Sequence, residues 1–261
     1  MEKIIPYLRQ TLWAGDKAGK GIGEAYLFSA LTERPSRSEK GTPLFQWWGG
    51  DVPLIKYIDA TGAWSVQVHP KTTADRQGKD ELWIVDDLYP DAAAYIGFRR
   101  DVTKEEVRRC CADGSILSLM QRIPLQTGDM VYIPGGTIHA VRGVAFFEVQ
   151  HSLDVTYRLF DYGRGREISL DAAMEHLNFR RYEETATDDF FAVAPLSSKK
   201  NLQKTMFQDT VVVVKRGTGI LNGRSVGPRD CYVLSEGEKL CFSGMGELLL
   251  TPIRILRKFR D

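Results

Sequence analysis

Apolar and polar residues alternate along most of the chain in short runs, and this pattern predicts strands. The runs are rich in Val, Ile, Tyr, Phe and Trp, and Gly, Pro and Asp separate them, as is typical of a β-sandwich or barrel. In chain order they are EAYLFSAL, PLIKYIDA, WSVQVHP, ELWIVDD, AAAYIGF, DMVYIP, AFFEVQ and VTYRLFDY. We therefore predict a mainly β protein.

Two segments depart from this alternation and predict a small helical part. Residues 103–121 begin with Thr103, a plausible N-cap, and then place apolar residues at helical spacing. Residues 168–179 repeat the pattern, with Ser169 as the candidate cap. Both helices are expected to be minor additions to the strands.

The order of these segments predicts two related parts. A charged linker, RRYEETATDDFF, follows the second helix, and strands return from about Phe191. There GTGILNGRSV predicts a hairpin with Asn-Gly as its turn, and GPRDCYVL repeats the rhythm of TGDMVYIP. We predict a barrel over residues 1–165 with a helical insertion near 103–121, a helix and linker over 166–190, and a smaller barrel without metal ligands over 191–261.

Charge and composition narrow the classes of partner. The chain has 261 residues, 35 Lys and Arg against 34 Asp and Glu, and a formal charge of +1. This balance gives no general attraction to nucleic acid or to an anionic membrane, so any anion site must be local. The segment MEKIIPYLRQ lacks the apolar stretch of a signal peptide. We expect a soluble cytoplasmic protein, a monomer or weak homo-oligomer.

The four cysteines do not form a metal-binding pattern. Cys110, Cys111, Cys231 and Cys241 include no CxxC pair, and none lies near a histidine. Adjacent cysteines rarely bridge each other because the geometry is strained. We expect buried free thiols, and any metal is then held by nitrogen and oxygen.

The segment GDMVYIPGGTIHAV carries the strongest local motif. Gly128, Pro134, Gly136 and His139 have the spacing Gly-x5-Pro-x-Gly-x2-His, which resembles the second motif of the cupin superfamily of double-stranded β-helix barrels. Gly128 begins a turn, a strand follows, and a second turn at Pro134 leads to His139. The motif predicts that this histidine enters the mouth of a barrel.

Three further donors lie upstream at suitable spacing. Gln67 and His69 are two residues apart and share one face of a strand, and Glu81 opens the next strand. A histidine at a strand end is by itself usually structural, so the prediction depends on all four donors occurring together. Two imidazoles, a carboxylate and an amide suit Zn²⁺, or less securely Fe²⁺ or Mn²⁺.

A longer series of segments resembles the class I mannose-6-phosphate isomerases. PLIKYIDATGAWSVQVHP, GKDELWIV, YIPGGTIHAV and FFEVQHSLDVTYRLFDYGR occur in the order found in that family. GIGEAYLFSA is similar to another family segment, with Tyr26 where Trp is usual. The resemblance covers roughly residues 10 to 170.

This resemblance implies a fold, a cofactor and a reaction. The family fold is a pair of cupin barrels in tandem with a helical segment. One Zn²⁺ per chain is held by the residues matching Gln67, His69, Glu81 and His139, the four that spacing nominated. The implied reaction interconverts mannose 6-phosphate and fructose 6-phosphate, small sugar phosphates, through an enediolate.

The resemblance also assigns roles to residues outside the metal set. Glu148 matches the candidate general base, with a buried ion pair to Arg158 as the less favoured alternative, and Arg158 matches the active-site arginine. Ser65 and Lys79 match phosphate contacts, and Lys56 and Arg164 are further basic candidates for the pocket. His151 stands where the family commonly has Gln.

Several departures from the family keep two other functions open. The connection from His69 to Glu81 looks short, and VHPKTT replaces the usual acidic residues after the proline. The first alternative is a non-catalytic sugar-phosphate-binding or regulatory cupin. The second, less favoured, is an iron-dependent cupin oxygenase, which a glutamine in the first ligand position disfavours.

Overall fold

The structure is a computed structural model that describes residues 1–48, 52–185 and 191–253. The first strands are β1 (Glu2–Ile5), β2 (Tyr7–Gln10), β3 (Ile22–Phe28), β4 (Arg37–Ser38), β5 (Leu54–Ala60), β6 (Val66–Val68) and β7 (Glu81–Phe98). They are followed by β8 (Met120–Ile123), β9 (Met130–Ile133), β10 (His139–Gln150) and β11 (Tyr157–Phe160). The last are β12 (Ala194–Ser198), β13 (Asn201–Thr205), β14 (Thr210–Leu221), β15 (Arg224–Val226), β16 (Cys231–Leu234) and β17 (Lys239–Pro252). The helices are α1 (Lys104–Ala112) and α2 (Leu170–His176), with short 3-10 turns at Leu44–Gln46 and Ile116–Leu119.

The strands form two large sheets. The nine-stranded sheet has the order β11-β6-β10-β5-β3-β2, and in it β7 pairs with β10, β8 and β9. The eight-stranded sheet has the order β12-β17-β14-β16-β1-β4, with β13 on β17 and β15 on β14. The prediction of a mainly β chain with minor helices is confirmed.

The chain divides into two compact units. The first comprises the described residues within Met1–Arg9, Ala25–Tyr57 and Thr187–Arg257. In it β1 pairs antiparallel with β16, so the first strand of the chain joins the C-terminal strands. The second comprises those within Gln10–Glu24 and Ile58–Ala186. The predicted boundaries at residues 165 and 191 take each part as one continuous segment of the chain, and they stay a prediction. Of the predicted linker and C-terminal barrel, residues 186–190 and 254–261 lie outside the described residues.

Both helices are shorter than their patterns predict. Thr103 caps α1 as expected, because its hydroxyl accepts a hydrogen bond from the Glu106 amide at 3.2 Å. The helix ends at Ala112 because Gly114 takes a left-handed φ of +78°, so the prediction of a helix to residue 121 is wrong. Ser169 precedes α2, but its side chain forms no cap there.

The runs ELWIVDD and AAAYIGF, predicted as two strands, form the single strand β7. Its register with β10 shifts between Arg142 and Val144 and again between Ala145 and Phe146. These irregularities let the strand bend and twist, so it continues through the Asp and Pro residues that suggested a break. Its first residues can therefore pair with β9 while its last residues pair with β8.

The strand β6 buries both of its faces. Val66 and Val68 are fully buried in an apolar cluster that includes residues of both helices, such as Val107 and Met174. Complete burial of a valine stabilises a fold by about 1.5–3 kcal/mol. Gln67, between the two valines, faces the other way, as alternation predicts. The two helices thus hold the back of the strand that carries the first candidate ligands.

Two other predictions concern the C-terminal strands and the cysteines. Asn222 and Gly223 both have positive φ and join β14 to β15 in the predicted hairpin. All four cysteines are free, and all but Cys241, which is half-buried, are buried. Burial raises the pKa of the Cys111 thiol to about 12, so this thiol stays protonated at neutral pH.

Among the described residues, neither helix has the length and apolar character that crossing a membrane requires.

Candidate metal centre

Three neighbouring strands bring the candidate donors together. His139 on β10 lies directly opposite Gln67 on β6, so their side chains share a face. His69 follows β6 on the same face, and Glu81 begins β7. All four side chains are buried, with at most 9 % of each residue exposed. The structure therefore assembles the set that the sequence nominated.

Backbone carbonyls fix the proton on each imidazole. His69 Nδ1 lies 2.8 Å from the Val155 carbonyl oxygen, and His139 Nδ1 lies 2.9 Å from that of Thr137. A carbonyl oxygen only accepts, so each Nδ1 carries a hydrogen and donates it. In a neutral ring each Nε2 then presents a lone pair. Hydrogen bonds of this kind, from the ring nitrogen that does not bind the metal, orient histidine ligands.

Both lone pairs lie next to the Glu81 carboxylate. His69 Nε2 is 2.9 Å from Glu81 Oε1, and His139 Nε2 is 3.9 Å from Oε2. One ligand atom from each of the three residues can be chosen so that all lie within 4.8 Å of one another. Two atoms bound to the same Zn²⁺ at about 2.0–2.1 Å are about 3 Å apart, so the first pair has that separation. His69, Glu81 and His139 thus form a cluster that could hold a metal ion.

Burial keeps the two histidines neutral. It lowers the pKa of His69 from its ordinary value of 6.5 to about 3, with the Lys79 charge acting in the same direction. Burial also lowers the pKa of His139. For Glu81 burial alone would raise the pKa, but the positive charge of Lys79 lowers it well below its ordinary value. At neutral pH the cluster presents two neutral imidazoles and one carboxylate, which is the state a metal requires.

The contact between His69 and Glu81 is unusual without a cation. Within the described residues His69 Nε2 is buried and forms no hydrogen bond, despite its 2.9 Å separation from a carboxylate oxygen. Two electron-rich atoms at this distance repel each other unless a positive charge lies against both. The donor set and this geometry fit a divalent metal of the zinc type.

The Gln67 amide completes the ring of donors. Its Nε2 lies 3.1 Å from His139 Nε2, and the Ser65 hydroxyl donates to its Oε1 at 3.3 Å. A half-turn of the amide would present the oxygen to the centre instead of the nitrogen. Through this hydrogen bond Ser65 contacts Gln67, a candidate ligand, and the sequence did not predict that contact.

Two other side chains bind Glu81. The Lys79 ammonium lies 3.3 Å from Oε1, and the Trp83 indole N–H donates to Oε2 at 3.1 Å. Sequence reasoning missed Trp83. Its position two residues after Glu81 on the same strand was the available signal, because residues i and i+2 share a face.

The glycines of the cupin-like motif allow a close approach behind the ligands. A Cβ on Gly135 would lie 2.2 Å from the Pro70 carbonyl oxygen. Gly136 has φ of +88°, and its amide donates to the His69 carbonyl oxygen at 2.9 Å. Side chains at these positions would push apart the ends of the strands that carry His69 and His139.

The remaining predicted residues lie in different surroundings. Glu148 on β10 is buried opposite Trp83, which shares a face with Glu81. Arg158 on β11 is half-buried opposite Gln67, the candidate fourth donor. Lys56 is buried, with its ammonium 5.1 Å from the centre of the Tyr26 ring.

Arg164 lies in a loop and has several contacts there. Its guanidinium donates to the Asp161 carboxylate and to the Ala63 carbonyl oxygen, both at 2.6 Å. Arg166 binds the same carboxylate, with its Nε 2.9 Å from Oδ2. The Asp161 pKa is lowered by these two arginines, although burial alone would raise it.

These features define a class: a mainly β, cupin-like protein with a candidate metal centre of two histidines and a glutamate. No protein-family model matches the chain. It is 29 % identical over 224 residues to the probable mannose-6-phosphate isomerase GmuF of Bacillus subtilis, covering 71 % of each chain. It is 30 % identical over 207 residues to the mannose-6-phosphate isomerase ManA of the same organism, covering 65 % of each.

Solved structures share the fold. The mannose 6-phosphate isomerase of Bacillus subtilis matches with a TM-score of 0.83 and 20 % identity, over 95 % of this chain and 98 % of that one. A mannose 6-phosphate isomerase bound with zinc and yttrium matches with a TM-score of 0.74 and 14 % identity, over 96 % and 98 %. The predicted resemblance to the mannose-6-phosphate isomerases and the predicted cupin-like fold are both confirmed.

The cluster predicts which histidine replacement removes a metal. His139→Ala should abolish stoichiometric metal binding, because it deletes a buried lone pair that no other described side chain replaces. His176→Ala is the matched control, since that residue stacks on Tyr157 and lies outside the cluster. Metal content after purification and dialysis, measured by mass spectrometry, checks both variants. Full metal content in His139→Ala would contradict the ligand set.

The histidine pKa values predict acid sensitivity of the metal-free protein. An unfolded His69 takes up a proton near pH 6.5, whereas the folded one takes it up only near pH 3. The free energy of unfolding should therefore fall as the pH drops below 6.5, by up to about 1.4 kcal/mol per pH unit for each proton. Glu81 adds to this fall below its ordinary value of 4.5, because its folded pKa is also lowered.

Urea denaturation between pH 7 and pH 4, in the presence of a chelator, measures this fall. His69→Gln removes one titrating group, so the slope of the unfolding free energy against pH should decrease by up to about 1.4 kcal/mol per pH unit, the contribution of one proton. The same slope in both proteins would show that His69 does not titrate in this way.

Proposed function

We propose that this chain is a zinc-dependent aldose-ketose isomerase that interconverts mannose 6-phosphate and fructose 6-phosphate in the cytoplasm. The observation that carries the proposal is the buried cluster of His69, Glu81 and His139, whose lone pairs converge in a fold shared with mannose 6-phosphate isomerases. Sequence similarity to ManA supports the choice of reaction. The zinc-bound structure of the same fold supports the choice of metal.

The chemistry requires a base and stabilisation of negative charge. Isomerisation moves a proton between carbons 1 and 2 of the sugar, and an enediolate oxygen develops charge as the proton leaves. When bound, Zn²⁺ supplies a Lewis acid that stabilises charge on oxygen. His69, Glu81 and His139 would hold it, with Gln67 as the fourth donor.

We assign the proton transfer to Glu148. It is buried on β10 beside the face that carries the cluster, which favours a carboxylate dedicated to chemistry over a solvated charge. It is absent from the His–Glu–His cluster itself, as a base distinct from the ligands requires. In this role its carboxylate takes the proton from carbon 2 and returns it to carbon 1, while the proton of the carbon 2 hydroxyl is transferred to the oxygen on carbon 1.

We assign charge stabilisation to Arg158. Its position opposite Gln67 places the guanidinium on the same face as the donors. A permanently charged, planar donor suits the two neighbouring oxygens of an enediolate, which it can bind with two parallel hydrogen bonds.

The substrate phosphate requires fixed donors nearby. Ser65 and Lys79 are both buried beside the cluster, through their contacts with Gln67 and Glu81. Lys56 is a further candidate. Arg164 would have to exchange its contacts with Asp161 and Ala63 before it could bind phosphate, so we place it last.

A coupled assay tests the proposed reaction. The zinc-loaded protein should convert mannose 6-phosphate to fructose 6-phosphate, followed through phosphoglucose isomerase and glucose-6-phosphate dehydrogenase. Removal of the metal with a chelator should abolish the rate, and added Zn²⁺ should restore it. Binding of the sugar phosphate without turnover would instead favour a regulatory cupin. Tight iron binding with consumption of oxygen would favour an oxygenase.

Replacement of Arg158 separates binding from chemistry. Arg158→Ala should keep its zinc while kcat falls by about 100-fold or more, because the lost contact acts mainly in the transition state. Arg99→Ala is a suitable control, since that arginine is exposed and its side chain donates to the Ser118 carbonyl oxygen at 3.4 Å, away from the cluster. A rise in KM with unchanged kcat would make Arg158 a substrate-binding residue instead.

A further inference from the structure

We propose that Asp80 is a positioning residue for the metal centre and holds the three ligand-bearing segments in register. The inference rests on the proposed function, because it assigns a role toward the same metal. Asp80 is buried and immediately precedes Glu81. It is outside the His–Glu–His cluster.

The Asp80 carboxylate connects two segments near His139. Its Oδ1 accepts a hydrogen bond from the Gly135 amide at 2.7 Å, and its Oδ2 accepts one from the Tyr132 hydroxyl at 2.8 Å. Tyr132 lies on β9, and Gly135 lies in the Pro134–Gly136 turn that leads to His139. Both carboxylate oxygens of Asp80 thus bind the segment that leads to His139. The residue after Asp80 is Glu81, the candidate carboxylate ligand.

The backbone of Asp80 connects a further segment. Its N–H donates to His151 Nδ1 at 3.2 Å, and its carbonyl oxygen accepts from the His151 N–H at 3.3 Å. His151 follows β10 directly and is buried. This residue pair anchors the start of β7 to the end of β10, so Glu81 cannot slide along its neighbour without breaking both bonds.

The Pro134–Gly136 turn links this arrangement to His69. The Gly136 amide donates to the His69 carbonyl oxygen at 2.9 Å, one residue after Gly135 binds Asp80. A single turn therefore contacts the residue before Glu81, contacts His69 itself, and continues into His139 three residues later. Loss of the Asp80 carboxylate removes the contact between this turn and the Glu81 segment.

The expected consequence is weaker metal binding in a protein that still folds. Contacts that orient metal ligands typically change metal affinity by about 10- to 100-fold when they are removed. The Gly135 and Tyr132 donors would also lose their buried acceptor, which relaxes the turn. The metal-free fold keeps its apolar clusters, which do not include Asp80.

The experiment compares zinc affinity among matched variants. Competition with a chromophoric chelator gives the Kd for Zn²⁺, and a thermal melt of each metal-free protein checks its folding. Asp80→Ala should raise the Kd by about 10- to 100-fold. Asp80→Asn keeps an oxygen acceptor for Gly135 and should recover most of the affinity. Asp113→Ala is the control, because it removes an exposed carboxylate that accepts from a turn amide, that of Ser115, at 2.9 Å.

The outcomes distinguish a positioning role from a structural one. A purely structural role would lower the melting temperature of the metal-free protein and leave the Kd of the folded fraction unchanged, and this result would overturn the proposal. If Asp80→Ala does not fold, Tyr132→Phe removes one of the two bonds, and its Kd should still rise relative to the control. Zinc binding by the unaltered chain without isomerisation of mannose 6-phosphate would reject the proposed function and leave the role of Asp80 intact.

Discussion

The candidate centre depends on two hydrogen bonds from imidazole N–H groups to backbone carbonyl oxygens. These bonds, to Val155 and Thr137, place a hydrogen on each Nδ1 and so leave each Nε2 as a lone pair. Without them either ring could turn its N–H toward Glu81, and the cluster would be a simple hydrogen-bonded triad. Because the acceptors belong to the backbone, the fold itself sets the protonation pattern of the site.

Burial makes this arrangement costly in the absence of a cation. A carboxylate with 1 % exposure needs compensating positive charge or hydrogen bonds, and Glu81 receives them from Lys79 and the Trp83 indole. The nearby imidazoles contribute no proton at neutral pH because burial keeps them neutral. Lys79 therefore supplies only part of the positive charge that the buried Glu81 carboxylate requires, and a bound metal ion would supply the rest.

Close contact between backbone segments explains the glycines beside the candidate metal centre. Gly135 and Gly136 let the turn before His139 approach Pro70 and His69 so closely that their amides bind Asp80 and the His69 carbonyl oxygen. On the opposite side of β6, Val66 and Val68 pack into an apolar cluster with both helices. Rigid packing on one side and close backbone contact on the other hold the donors within reach of one metal ion.

Local sequence determined the strands, the Asn222–Gly223 hairpin and the four candidate ligands, because alternation and motif spacing are properties of neighbouring residues. It did not determine where α1 ends or that β7 runs unbroken through Pro90, since these depend on a left-handed glycine and on register shifts against β10. It also missed Trp83, although its partner Glu81 lies two residues away on the same strand, and it missed Asp80, whose partners are distant in the chain. Only the tertiary structure shows which lone pairs face Glu81, because the His69 ring donates to the carbonyl oxygen of Val155, which is distant in the chain, and the folded turn before His139 sets the contact with Thr137.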